Sequence, residues 1–188
     1  DLRDSLPAGY RIEIGGTVEQ SRRAQDSLKA VMPLMVILML TLIMLNMRSF
    51  PGLFMVLFTA PLGLIGAAGA LALFGQPFGF VALLGLIGLA GILMRNTLIL
   101  VGQIDENRRA GDDRHTAVIE ATIRRARPVV LTALAAVLAF VPLTTSTFWG
   151  PLAVTLIGGI TVGTVLTIVF LPAMYAVWFR VRPRKATG

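Results

Sequence analysis

The chain has 188 residues, of which 55% are hydrophobic and only 14% charged, and its mean hydropathy is +0.78. Soluble domains carry roughly a quarter of charged residues, so this composition excludes an ordinary water-surrounded globule. The formal charge of +7 does not indicate nucleic acid, because the basic residues lie between and after apolar blocks, not on one face with stacking aromatics; with no cysteine, disulfides and thiolate metal sites are excluded too.

In chain order, residues 1–27 open on the polar stretch DLRDSLPAGYRIEIGG, where the alternation of Tyr10, Ile12 and Ile14 before a Gly-Gly turn predicts a short strand. Thr17 and Gln20 have capping-box spacing, which starts a helix that runs onward into the first span. This opening is read as the short α/β tail of a larger soluble domain, and the chain as part of something longer. A spanning helix needs about 20 mostly apolar residues, and the first is expected near 28–48. The uncharged block from Ser49 to Met94 holds the second span near 50–74 and most of the third, near 79–103. The two divide at FGQPFG, where Gly and Pro mark a turn. Residues 104–126 read as a polar loop with a short amphipathic helix, Val118, Ile119, Thr122 and Ala126 sharing one side. Pro128 to Phe179 is again uncharged and supplies spans near 127–147 and 151–179, divided at PLTTSTFWGP, whose Trp149 suits a membrane interface. A basic tail, 180–188, closes the chain. The expected fold is an all-α polytopic membrane domain of five transmembrane helices, residues 28–179.

Basic residues beside spans gather on the cytoplasmic side. Arg48, the cluster Arg108, Arg109, Arg114, Arg124, Arg125 and Arg127, and the tail Arg180, Arg182, Arg184 and Lys185 fall on one side of the expected crossings. The turns 75–79 and 143–150 hold no Lys or Arg. This pattern places the N-terminal piece outside and the C-terminus inside. His115, the single histidine, is expected to be a solvated loop residue.

Within the spans, Gly88, Gly91, Arg95 and Gly102 share one helical stripe, and glycines there let another helix approach. The fifth span offers Gly159, Gly163 and Thr167, the second Gly63, Gly66 and Gly69; these are expected to be ordinary packing seams. The fourth carries Arg125, Pro128, Thr132, Ala135, Ala136 and Ala139 on one side. Arg95 stands apart. It is a permanent charge inside an apolar run, where a central arginine costs roughly 2.5–3.5 kcal/mol on insertion scales. None of the ten acidic residues lies inside a span, and Asp105, on the same helix, is roughly 15 Å away along the axis. Either Arg95 snorkels to the inner interface, or its counter-ion belongs to helices outside this sequence. An intramembrane pair of that kind is typical of a proton or ion pathway.

GLAGILMRNTLILV, AVIEATIRRARPVVLTALAAVLAFVPL and LIGGITVGTVLTIVFLPAMYAVWF resemble the end of the RND multidrug efflux permeases of the hydrophobe/amphiphile branch. The likeness runs from about Leu6 to Arg182, with RARPVVLTAL its most specific block. It implies that residues 1–27 end a periplasmic porter domain and that the spans are the last five of twelve. It implies a proton-driven exporter and not an enzyme, with no catalytic residue, metal site or cofactor in this part. Arg95-Asn96 stands where the family usually has Lys-Asn, and that basic residue pairs with aspartates in the missing N-terminal half. Thr132, five residues after the Arg127-Pro128 pair begins, and Arg125, at the cytoplasmic mouth, match further proton-route positions. Arginine keeps its proton at any workable pH, so Arg95 suits a fixed counter-ion and not a proton carrier. The implied partners are that N-terminal half, two further copies in a homotrimer, periplasmic adaptor and outer-membrane channel proteins, and the lipids of the bacterial inner membrane. Metal-ion or lipid cargo, or a non-transporting anchor, are the alternatives; the methionines Met35, Met39 and Met44 are expected to be apolar filler.

Overall fold

The computed structural model describes residues 17–47 and 50–180. The strand and turn expected before Thr17, and the tail after Arg180, lie outside them. Two compact units, Asp1–Met39 and Leu40–Gly188, divide the chain. Among the described residues five helices follow in order: α1 (Thr17–Met47), α2 (Phe50–Leu73), α3 (Phe80–Arg109), α4 (Arg114–Phe140) and α5 (Gly150–Trp178), with one 3-10 turn over Val141–Thr145 after α4. All five are long and apolar enough to cross a membrane. There is no strand among the described residues.

The first half of α1 is the polar extension that Thr17 begins, and it runs unbroken into apolar sequence, as the capping-box spacing predicts. In the second unit α5 is the centre, packed against α2, α3 and α4. Half of its most apolar stretch is buried, against none for α4. The reason is side-chain size. Gly158, Gly159 and Gly163 remove the bulk that would hold other helices off. A Cβ on Gly66 would sit 2.3 Å from the Gly158 carbonyl oxygen, and one on Gly158 2.2 Å from Ala70 Cβ, so α2 and α5 meet backbone to backbone. Around that seam Ala67, Leu89, Leu93, Leu156 and Ile160 form a buried apolar cluster. The Thr97 hydroxyl of α3 donates to the Thr59 hydroxyl of α2 at 2.8 Å, both fully buried. Thr59 in turn donates to Val56 O at 2.7 Å, so its oxygen is free to accept.

The expected loop over 104–126 is not a separate region. Helix α3 continues to Arg109 and α4 starts at Arg114, so the connection is four residues long. A Schellman-type stop explains its sharpness. Gly111 takes φ +104, its N–H donates to Arg108 O at 3.2 Å, and Asp112 N–H donates to Asn107 O at 3.1 Å. Asp113 then caps α4, accepting from the His115 backbone N–H at 3.0 Å. That hydrogen bond holds the Asp113 carboxyl below its ordinary range. The amphipathic segment is thus the first turns of α4. Its buried side is Ala117, Val118 and Ala121, while Ile119 is exposed, because the inward face is set by where α4 meets its neighbours and not by hydrophobicity alone.

Candidate functional site

Helix α3 buries Ala82, Gly85, Leu89, Leu93, Thr97, Leu100 and Ile104, a stripe at spacings of three and four that faces α2 and α5. Its other face therefore carries Gly88, Gly91, Arg95 and Gly102. A Cβ on any of these three glycines would meet nothing within 4 Å. The close approach expected at Gly88 and Gly91 is not made by α2, α4 or α5; a Cβ on Gly63, Gly66, Gly158, Gly159 or Gly163 would come within 3.0 Å of a neighbouring atom. Gly159 takes Leu89 against its backbone and Gly163 takes Leu93.

Beside this open face, α3, α4 and α5 enclose a cleft of about 380 Å³ lined by Ile92, Arg95, Asn96, Ile99, Arg125, Pro128, Val129, Thr132, Ala133, Ala136 and Ile160. Arg95, Asn96, Arg125 and Thr132, singled out in the sequence, all line it. Proline at 128 has no N–H to give the Arg124 carbonyl, an interruption that membrane helices tolerate where a cavity is lined. Thr132 is exposed and its hydroxyl donates to Val129 O at 2.9 Å, one turn back. Its oxygen can still accept, but to donate to an incoming group it must first release that carbonyl.

The charges are arranged unequally. Among the described residues, Arg95 has no ion pair or hydrogen bond and no carboxylate lines the cleft. Asp105 lies 3.9 Å from Arg108, and Glu120 pairs with Arg124 at 2.9 Å. Arg125 is half-buried and donates through Nε and Nη2 to the Gln103 side-chain oxygen at 3.1 and 2.6 Å. Sequence reading missed Gln103, although its seven-residue spacing from Asn96 puts the two on one helix face. It also missed Thr59 and Thr97, whose pairing depends on the register of two helices. A second, small space of about 10 Å³ adjoins the cleft and shares Asn96, Arg125 and Val129 with it.

A helical bundle with a cleft lined by two arginines, and by no acid among the described residues, is the frame of a multi-pass membrane protein. A sequence model described as the AcrB/AcrD/AcrF family matches residues 2–179, and the chain belongs to that family of RND efflux transporters. It is 37% identical over 188 residues to the nickel and cobalt resistance protein CnrA of Cupriavidus metallidurans, covering 97% of this chain and 17% of that protein. It is 34% identical over 139 residues to the multidrug resistance protein MdtC of Serratia proteamaculans, covering 71% of this chain and 14% of that one. Among solved structures, a heavy metal efflux pump superposes with a TM-score of 0.77 at 28% identity, covering 94% of this chain and 18% of the pump. The chain thus spans less than a fifth of the length of these relatives.

Proposed function

We propose that this chain is the counter-ion side of the proton-coupling site of an RND efflux transporter. The observation that carries the reading is the meeting of Arg95, Asn96, Arg125 and Thr132 on one cleft beside an uncovered α3 face. In this reading Gly88, Gly91 and Arg95 receive a helix of the N-terminal half, whose ionised aspartates are held by Arg95 and accept from Asn96 and Thr132. Protonation removes their attraction to Arg95, so the helices have two arrangements and the proton chooses between them. The protein lies in the bacterial inner membrane with residues 1–27 periplasmic and the C-terminus cytoplasmic, and works as a homotrimer with periplasmic adaptor and outer-membrane channel proteins.

The cleft couples and does not choose the cargo. Drug/proton antiport of hydrophobic or amphiphilic compounds is supported by the RARPVVLTAL block and by the MdtC relative. Metal-cation export is supported by the longer match to CnrA and by the pump structure. Resistance assays with nickel, cobalt and an amphiphilic dye separate the two cargo classes. The coupling itself is tested at Arg95 in the full-length transporter at matched membrane abundance. Arg95→Lys keeps substantial export because the charge is retained, and Arg95→Ala abolishes it. Wild-type export from Arg95→Ala would show that the arginine only snorkels, and would remove the coupling role.

A further inference from the structure

The coupling reading leaves unexplained how a second cation is kept at the same cleft. Arg125 shares the cleft with Arg95, a like charge, and a long basic side chain on a membrane helix tends to swing toward the interface. An arginine in such a place is commonly restrained by a carboxylate, which would cancel its charge. Here the restraint is neutral. The single oxygen of the Gln103 amide accepts from both Nε and Nη2 of Arg125, at 3.1 and 2.6 Å. The other end of that amide is fixed in turn: Gln103 Nε2 donates to Asn107 Oδ1 at 3.0 Å and lies 3.4 Å from Glu106 Oε2. Asn107, itself buried, donates through Nδ2 to Ala117 O on α4 at 3.3 Å. The chain of bonds therefore leaves α4 at Arg125, crosses to α3, and returns to α4 two turns earlier.

We infer that Gln103 is a positioning residue for the coupling step, holding the Arg125 guanidinium on the cleft without neutralising it; this rests on the coupling role proposed above. Among the described residues no carboxylate pairs with Arg125. On α3, Asp105 lies beside Arg108 and Glu106 is exposed at the far end of the Gln103 amide. On α4, Glu120 is paired with Arg124, and on α5 the buried Tyr175 hydroxyl accepts from Arg108 at 3.3 Å. Arg125 has five N–H donors and gives Gln103 two of them, which leaves three and its full charge for the cleft. Arg125 so held, together with Arg95 on the same cleft, lowers the pKa of any carboxylic acid brought between them, and hence sets the pH at which that acid releases its proton.

The test uses the full-length transporter reconstituted in liposomes, with proton-coupled transport measured across a pH range at matched protein content. Gln103→Leu lowers the rate about tenfold or more, since it removes both hydrogen bonds to the guanidinium. Gln103→Glu is the discriminating variant. It keeps an acceptor for Arg125 but loses the Nε2 donor to Asn107, so a purely structural role predicts at most a lower rate with the pH profile unmoved. A positioning role that depends on the free charge predicts a loss of similar size and a pH profile moved to higher pH, because a neutralised Arg125 no longer depresses the partner acid. In an Arg125→Ala background, Gln103→Leu adds no further loss. An unmoved pH profile in Gln103→Glu, whatever its rate, or losses that multiply in the double variant, overturn the inference while Arg125→Ala stays impaired. Normal transport in Arg125→Ala itself overturns the coupling role of Arg125, and the inference with it.

Discussion

Helices α2 and α5 allow a graded prediction because four of their glycines differ in what surrounds them. An alanine at Gly66 would bring its Cβ to 2.3 Å from the Gly158 carbonyl oxygen and 2.6 Å from Val162 Cβ. Ordinary contact begins near 3.4 Å, so the helices must separate by about 1 Å, enough to forfeit a quarter to a half of each affected dispersion contact along the seam. The obstacle is backbone, which cannot rotate aside, and overpacking of this kind costs about 1–3 kcal/mol. Gly158→Ala meets Ala70 Cβ at 2.2 Å and the Gly66 carbonyl oxygen at 2.6 Å, so it falls in the same class. Gly159→Ala is expected to cost less even though its nearest atom is closer, at 2.1 Å, because that atom is the Leu89 Cδ2 tip, which can change rotamer. Gly69→Ala meets nothing within 4 Å and should be neutral or slightly stabilising, since alanine is the better helix former. Reversible unfolding of the purified protein in micelles, by steric trapping at several binder affinities, gives the four differences. Equal stabilities for the Gly66 and Gly69 variants would refute the claim that the seam is held by backbone approach.

Thr132→Ala should impair export less than Arg95→Ala, because it removes a hydroxyl already bonded within its helix at 2.9 Å and not a charge; drug and metal susceptibility at matched expression ranks the two. Tyr175→Phe should cost about 0.5–1.5 kcal/mol, losing the Arg108 contact at 3.3 Å while keeping the ring against Phe179 at 4.5 Å; thermal unfolding reads the difference. Thr97→Val should cost about 0.6 kcal/mol, the mean for an interhelical hydrogen bond in a membrane, and its loss should not add to that of Thr59→Val in a double-mutant cycle. For Asp113 the folded pKa lies below its ordinary 3.8, so its cap stabilises α4 above that value and fades as pH falls through the folded pKa. Amide exchange at His115 and Thr116 should therefore accelerate on acidification more in the wild type than in Asp113→Asn, whose cap cannot titrate; equal acid responses would dismiss the capping account.

The existence, number and order of the five helices were legible in the sequence, because a bilayer demands long uncharged runs and FGQPFG and PLTTSTFWGP interrupt them with turn residues. Arg95 was legible for the same reason, since one charge in an apolar run is conspicuous whatever surrounds it. The stop at Gly111 was not, because polar residues such as Asp105 and Glu120 are equally at home in a loop or on the wet end of a helix; backbone hydrogen bonds decided for helix and shortened the connection to four residues. Tertiary structure alone also separated the glycines. Gly88 and Gly159 look alike in a helical pattern, yet one faces open space and the other Leu89, since that outcome depends on which neighbour each face meets. For the same reason only the fold could join Gln103 to Arg125, residues on different helices whose contact depends on how α3 and α4 are rotated and slid against each other. A sequence carries the period of each helix; the phase between two helices exists only once they have packed.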